Sequence, residues 1–337
     1  MRPDWPVPPK LDLARLGTPL QPVPRASAAL GVELLVKRDD TTGAELSGNK
    51  VRKLEFLLAE AIACGADTVI TCGGEQSNHA RATALAAARL GLASELVLRC
   101  DDPAAPPATA GNILLDHLAG ARLRWITRAA WRDRNQLMAA VADELRAAGR
   151  RPYVIPEGGS NALGSWGYVG CAAELDVDLA ALPPRPTTIV YACGSGGTGA
   201  GLVVGAALLG WAARGIRVAA INVCDDRAYF VDAIGRIARD LVARWQLGVS
   251  ISDDDLTILD GHVGLGYARS RPEELATLRQ VARRDGLVLD PVYTGKAFHG
   301  LVQELTRRPG ALGERVVFVH TGGVFGLFAD PAAVVAG

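Results

Sequence analysis

Eight short apolar runs, rich in β-branched residues, recur along this chain, and most are followed by a stretch of helix length and helix periodicity. The runs are ELLVK (33–37), TVITC (68–72), SELVLRC (94–100), ARLRWI (121–126), PYVIP (152–156), TTIVYAC (187–193), RVAAINVC (217–224) and RVVFVH (315–320). Helix-like stretches cover 49–63, 77–90, 109–118, 131–148, 198–213, 227–246, 272–285 and 295–308. Buried strands alternating with helices require mainly parallel sheets covered on both faces, because each crossover returns along a face of the sheet. Residues 49–162 hold four strand–helix repeats and are expected to form a small α/β domain. Residues 1–48 and 163–337 then form a larger domain with its own sheet. The expected fold class is α/β: two doubly wound, three-layer domains, with a ligand in the cleft between them at the carboxyl ends of strands.

Charge and hydropathy exclude several classes of partner. The 337 residues carry 36 basic and 36 acidic side chains, which gives no reason to expect nucleic acid or an anionic membrane. The basic run Arg122–Arg134 is mixed with Asp133 and reads as solvated surface. The N-terminal MRPDWPVPPK lacks the apolar centre of a signal peptide. The longest apolar stretch, Leu202 to Ala213, is about 12 residues against roughly 20 for a membrane span. Six scattered cysteines form no C-x-x-C pair, so a cytoplasmic location with reduced thiols and no structural zinc is expected. Only five of the basic residues are lysines (Lys10, Lys37, Lys50, Lys53 and Lys296), which singles each out for work that arginine cannot do.

The chemistry is concentrated in loops, most of them where a strand gives way to a helix. Gly194-Ser195-Gly196-Gly197-Thr198-Gly199 matches G-x-G-x-x-G, and such a turn brings unpaired backbone N–H groups and a positive helix end to a phosphate. Asp225 and Asp226 after the next strand would suit a dinucleotide ribose, so an NAD oxidoreductase is one reading. Lys50 opens a helix after Ser47-Gly48-Asn49, where a neutral or covalently bound nitrogen is easier to keep than a cation. Lys53, one turn on, could serve in its place or pair with nearby acids. In Gly73-Gly-Glu-Gln-Ser77-Asn78-His79, the Ser77 hydroxyl, the Asn78 amide and the helix N-terminus suit a carboxylate, with His79 a structural residue. Tyr293 and Thr294 precede another helix whose Lys296 is expected to be exposed. Thr321 ends the last strand, and Tyr267 lies in the glycine-softened Gly264-Leu-Gly-Tyr loop. No paired carboxylates, zinc ligands or Ser-His-Asp set stand out.

Taken together, SGNKVRKLEF (47–56), QSNHARATA (76–84), GGSNALG (158–164), LDPVYTGKA (289–297) and HTGG (320–323) resemble the pyridoxal-phosphate enzymes of tryptophan-synthase-β type. More narrowly, they resemble the branch that holds D-cysteine desulfhydrase and 1-aminocyclopropane-1-carboxylate deaminase. The resemblance runs from about Leu34 to Ala329. It implies a tryptophan-synthase-β-like fold with pyridoxal 5'-phosphate in the cleft, a small amino-acid substrate and a homodimer. Lys50 would bind the cofactor covalently and then move protons, and Gly194 to Gly199 would hold its phosphate. Asn78 would lie by the pyridine ring and its 3-oxygen. Ser77, Asn78 and His79 would receive the substrate carboxylate. Tyr267, Tyr293 and Thr294 would face the substrate, and Thr321 the cofactor.

Two positions separate the branches. Cyclopropane deaminases carry Glu after the tyrosine, in VYEGK, and Leu in HLGG, whereas this chain has Thr294 and Thr321. A neutral hydroxyl at the pyridine nitrogen implies a weaker electron sink, which suffices when a good leaving group departs from the β-carbon. The implied reaction is therefore α,β-elimination of D-cysteine to pyruvate, hydrogen sulfide and ammonia. L-cysteate sulfo-lyase, cyclopropane deaminase, β-replacement and a non-catalytic ligand-binding role are the alternatives. Glu75, Glu157, Trp166 and Ala268-Arg269 depart from the branch pattern. Glu75 and Glu157 either edge the pocket, favouring a cationic or hydrogen-bond-donating substrate group, or are solvated loop acids.

Overall fold

The computed structural model describes residues 4–335; residues 1–3 and 336–337, which the expected larger domain includes, lie outside the described residues. Among these there are ten strands. They are β1 (Leu20–Pro22), β2 (Glu33–Lys37), β3 (Thr68–Gly74), β4 (Ala93–Cys100) and β5 (Arg122–Thr127), then β6 (Pro152–Val154), β7 (Thr187–Cys193), β8 (Ile216–Asn222), β9 (Thr257–Leu259) and β10 (Arg315–Val319). The helices are α1 (Pro24–Leu30), α2 (Asn49–Ala63), α3 (Asn78–Arg89), α4 (Asn112–Leu118), α5 (Arg134–Ala147) and α6 (Ala162–Ala180). They continue with α7 (Gly197–Leu208), α8 (Arg227–Trp245), α9 (Pro272–Asp285), α10 (Thr294–Arg307) and α11 (Pro331–Val335).

The strands form two sheets. One has the order β1-β2-β10-β7-β8-β9 and the other β5-β4-β3-β6. All pairs are parallel except β1–β2. Residues of β7 alternate between two cores: Ile189, Tyr191 and Cys193 enter one, and Val190 and Ala192 the other. The strand period of two thus buries both faces of the six-stranded sheet, as a parallel sheet requires. The four-stranded sheet does the same, with Ile70, Cys72 and Val97 on one face and Leu96 and Leu98 on the other.

Helix α6 is absent from the sequence reading, and its composition explains why. It is apolar around most of its circumference and rich in glycine, so no 3.6-residue stripe marks it. Those glycines let helices approach closely. A Cβ at Gly167 would lie 2.9 Å from the Lys53 backbone nitrogen, and one at Gly201 would lie 2.6 Å from Tyr168 Cβ. Helix α6 is therefore wedged between α2 and α7, the two helices whose N-termini begin the candidate site. Trp166 lies in this buried layer, only 1% exposed and edge-on to Trp245 at 5.6 Å, and does not line the cleft. The shorter β1, α1, β9 and α11 were also outside the sequence reading.

Candidate active site

Lys50 sits in the first turn of α2, at a junction fixed by backbone rather than by a side-chain cap. Gly48 has φ 105°, and a Cβ there would come within 2.7 Å of the Thr321 carbonyl oxygen, so the left-handed turn needs glycine. The Asn49 N–H donates to that same carbonyl at 3.1 Å. Asn49 Nδ2 also donates to Thr198 Oγ1 at 3.2 Å. The lysine is thereby tied to the carboxyl end of β10 and to the start of α7. Burial brings its pKa down to about 8, with Glu157 the foremost of the negative groups that oppose the shift.

One cleft contains Lys50, Ser77, Asn78, His79, Gly194, Ser195, Gly196, Thr198, Tyr267, Tyr293 and Thr321 in its lining. The sequence readings of those residues converge there. Gly197 and Gly199 belong to the first turn of α7 behind that lining. Thr294 is a correction: it is fully buried and off the cleft wall. Its hydroxyl donates to Asp290 Oδ1 at 2.6 Å, because the Asp290 carboxylate also collects the N–H groups of Val292, Tyr293 and Thr294. Thr294 thus shapes the turn that presents Tyr293. Lys296 is a second correction, being 1% exposed instead of solvated. Its amine donates to the Val263 and Gly266 carbonyls and so fastens the Tyr267 loop from below.

At one pole of the cleft the backbone turns at Gly196, φ 88°, and enters α7. The Gly197 N–H donates to Ser160 Oγ at 3.2 Å, and Ser160 Oγ donates to Ser195 Oγ at 2.9 Å. Lys53, fully buried, donates to Gly158 O at 3.1 Å beside them. A Cβ at Gly197 would stand 2.8 Å from Ser160 Cα and 3.0 Å from Lys53 Nζ. Glycines, hydroxyls, a helix N-terminus and a buried amine form a cradle that fits a phosphate dianion, and a Cβ would fill it. Burial and the neighbouring Lys50 push the Lys53 pKa well down, and an anion bound here would favour its charged form. The sequence raised Lys53 as a substitute for Lys50 or a partner of nearby acids; the structure instead sets its amine beside Gly158, Ser160 and Gly197.

At the other pole Ser77 caps α3, its Oγ accepting from the Ala80 N–H at 3.1 Å, which leaves the hydroxyl proton free for a ligand. Asn78 Oδ1 accepts from Asn112 Nδ2 at 3.1 Å, so its own amide N–H groups remain to be used. Thr71 Oγ1 donates to Ile155 O and lies 2.8 Å from His79 Nε2, which makes Nε2 the protonated nitrogen of a neutral imidazole. Burial and the two lysines push the His79 pKa well down, in agreement with that state. Between the poles the Tyr267 and Tyr293 hydroxyls lie 2.6 Å apart. Burial raises both pKa values, so the pair is neutral.

Three acidic expectations are settled by position. Glu157 lines the cleft and its Oε2 lies 2.8 Å from Arg134 Nε, so Arg134 is not solvated surface. Glu75 lies outside that lining, 3.6 Å from Arg128, on a neighbouring depression. Asp226 caps α8 by accepting from the Tyr229 N–H at 2.8 Å. Among the described residues no cluster of three His, Cys, Asp or Glu side chains could hold a metal, and no helix is long and apolar enough to cross a membrane.

A lysine of lowered pKa beside a single-phosphate cradle, in a cleft between two mainly parallel sheets, defines an enzyme that carries pyridoxal phosphate. The chain belongs to the pyridoxal-phosphate dependent enzyme family, whose model matches residues 11–322. It is 44% identical over 323 residues to the bifunctional D-cysteine desulfhydrase/1-aminocyclopropane-1-carboxylate deaminase of Arabidopsis thaliana, covering 94% of this chain and 78% of the relative. It is 40% identical over 325 residues to the D-cysteine desulfhydrase of Yersinia enterocolitica, covering 95% and 96%. The crystal structure of an ACC deaminase homologue superposes with a TM-score of 0.86 at 36% identity, covering 98% and 96%. A fungal L-serine ammonia-lyase from Rhizomucor miehei, 18% identical with a TM-score of 0.63 over 92% and 95%, shares the fold.

Proposed function

We propose that this chain is a pyridoxal-phosphate-dependent lyase that eliminates sulfide from D-cysteine, consuming one water and releasing pyruvate, hydrogen sulfide and ammonia. The observation that carries the reading is the Lys50 amine, with a pKa of about 8, sharing the cleft with a hydrogen-bonded pair of neutral tyrosines. Pyridoxal phosphate, when bound, supplies the electron sink that weakens the bond to the α-hydrogen. The residues that would hold it are Lys50, Lys53, Asn78, Ser160, the 194–199 loop and Thr321.

The work of the chain itself follows from its donors and acceptors. The Ser77 hydroxyl and the N-terminal N–H groups of α3 receive the substrate carboxylate and fix the α-carbon. The Lys50 amine is neutral in a useful fraction near pH 7 and takes the α-proton at Nζ. The tyrosine pair has two hydroxyl protons and spends one on itself, which leaves one for the substrate side. Asp290 holds Tyr293 in place, and Lys296 holds the Tyr267 loop. The name of the Arabidopsis relative favours cyclopropane deaminase as the second reading; L-cysteate sulfo-lyase and β-replacement are further alternatives on the same scaffold.

We further propose a cytoplasmic homodimer, with residues 49–162 as the small domain against 1–48 and 163–337. Light scattering on the purified protein tests the dimer. The test of function is release of sulfide and pyruvate in equal amounts from D- and L-cysteine, with pyruvate from L-cysteate and 2-oxobutyrate from the cyclopropane amino acid assayed in parallel. Borohydride reduction followed by peptide mass analysis should place the cofactor on Lys50, and Lys50→Ala should abolish turnover. Sulfide release from D-cysteine that persists in Lys50→Ala, or none from the wild type, would overturn the reading.

A further inference from the structure

We infer that Glu157 walls a subsite for the β-substituent of the substrate, and that it selects substituents able to donate a hydrogen bond over anionic ones. Thiol, hydroxyl and ammonium groups belong to the first class, and a sulfonate to the second. The inference rests on reading the cleft as an amino-acid site.

Glu157 begins the tight turn Glu157–Gly159 and lines the same cleft as Lys50, Ser77 and Tyr293. Its Oε2 is engaged by Arg134 Nε at 2.8 Å. The Arg134 guanidinium lies 5.1 Å over the Trp131 ring, which also carries Arg99 at 4.5 Å, and Arg99 lies 4.5 Å over the Tyr267 ring. An unbroken stack therefore runs Glu157–Arg134–Trp131–Arg99–Tyr267, and only its two ends, Glu157 and Tyr267, line the cleft. Both guanidiniums stand behind that surface, Arg99 between the Trp131 and Tyr267 rings and Arg134 between the Trp131 ring and the Glu157 carboxylate.

The consequence is a matter of which charge a substrate meets. Burial raises the Glu157 pKa, with Arg134 and Arg99 opposing the shift, and the 2.8 Å ion pair with Arg134 is what presents Glu157 as a carboxylate. An ionised carboxylate only accepts hydrogen bonds. The two anion-receiving elements of the cleft, the 194–199 loop and the start of α3, are taken by the cofactor phosphate and the substrate carboxylate. A β-substituent reaching toward Glu157 thus meets an acceptor whose ion-pair partner, Arg134, lies behind the cleft surface. An S–H, O–H or N–H donor is satisfied there; a sulfonate meets like charge in a partly desolvated cleft.

Glu157→Gln keeps the shape and removes the charge. The holoenzymes of wild type and variant are compared on cysteine, 2,3-diaminopropionate, cysteate and β-chloroalanine, in both enantiomers, by kcat/KM. Binding of alanine and serine is titrated through the visible absorbance of the bound cofactor, with any turnover of serine followed in parallel. The expected result is that the wild type favours diaminopropionate over cysteate and binds serine more tightly than alanine. The variant should raise the cysteate-to-diaminopropionate ratio about tenfold or more, the range set by a hydrogen bond to a charged group. A change below about twofold, or a wild type that prefers cysteate, overturns the subsite. Should the variant fail to fold, the wild-type order decides, and equal binding of serine and alanine rejects the inference. Sulfide release without the expected order sinks the subsite and leaves the function; the expected order in binding without any elimination does the reverse.

Discussion

The acid–base state of Lys50 can be measured directly as the rate at which the cofactor-free protein captures pyridoxal phosphate. Only the neutral amine is nucleophilic. With a pKa of about 8, roughly one-tenth of the amine is neutral at pH 7, against about 0.04% for an ordinary lysine near 10.4, an advantage of about 230-fold. Because the pKa is lowered, the reactive form is half present at about pH 8, nearly complete a unit above, and is lost as pH falls through that value. The assay is stopped-flow absorbance on cofactor-free protein across about pH 6.5 to 9.5, with a free primary amine of ordinary pKa run alongside as the reference. The capture rate should rise about tenfold per unit at the acid end and level off above about 8.5, while the free amine continues to rise. Glu157 is the foremost negative group raising this pKa, so Glu157→Gln should move the plateau to lower pH. A rate that still climbs tenfold per unit at pH 9.5 would give Lys50 an ordinary pKa and refute the reasoning.

Further perturbations separate the two poles of the cleft from the packing behind them. Lys53→Gln should weaken pyridoxal phosphate binding by about tenfold to a hundredfold while leaving the phosphate-free aldehyde nearly unaffected, because the loss is a charged hydrogen bond at the phosphate pole. Equilibrium titration of both ligands checks this. Tyr293→Phe removes one hydroxyl of the 2.6 Å pair and should lower kcat by about 10²-fold or more at little change in cofactor absorbance. Asp39 accepts from Arg52, Thr18 and Tyr168 in a buried network, so Asp39→Asn should destabilise the fold by about 3–5 kcal/mol, read from denaturant unfolding of the holoprotein.

The sheet and the strand–glycine–helix loops were legible because they rest on local rules. A buried parallel strand is an apolar run whatever surrounds it, and a glycine at φ 105° or 88° leaves its signature in the residue type. Helix α6 was not legible, since a helix buried on nearly all sides has no polar stripe to reveal its period. The fates of Lys53, Lys296 and Thr294 were not legible for another reason. Each is decided by partners distant in sequence or by a carboxylate it could equally have left to solvent. Lys53 meets Gly158, 105 residues away, and Lys296 meets carbonyls about thirty residues back. The same holds for Glu157, whose meaning depends on Arg134 and on the ring stack behind it.

Helix α2 explains why these distant parts meet where they do. Its first residues are bonded to the carboxyl end of β10 and the start of α7, both on the six-stranded sheet, while its body packs against α3 and α6. Lys50 at its N-terminus therefore projects where the two sheets face each other, and Lys53, one turn on, reaches the phosphate pole without leaving the same helix face. A three-residue spacing thus sets the separation between the covalent anchor and the phosphate charge. Moving either lysine by one position would rotate it by about 100° and break that correspondence. The requirement of one helix face explains why the two lysines stand three apart, and why Arg52 between them turns instead into the buried network of Asp39 and Glu174.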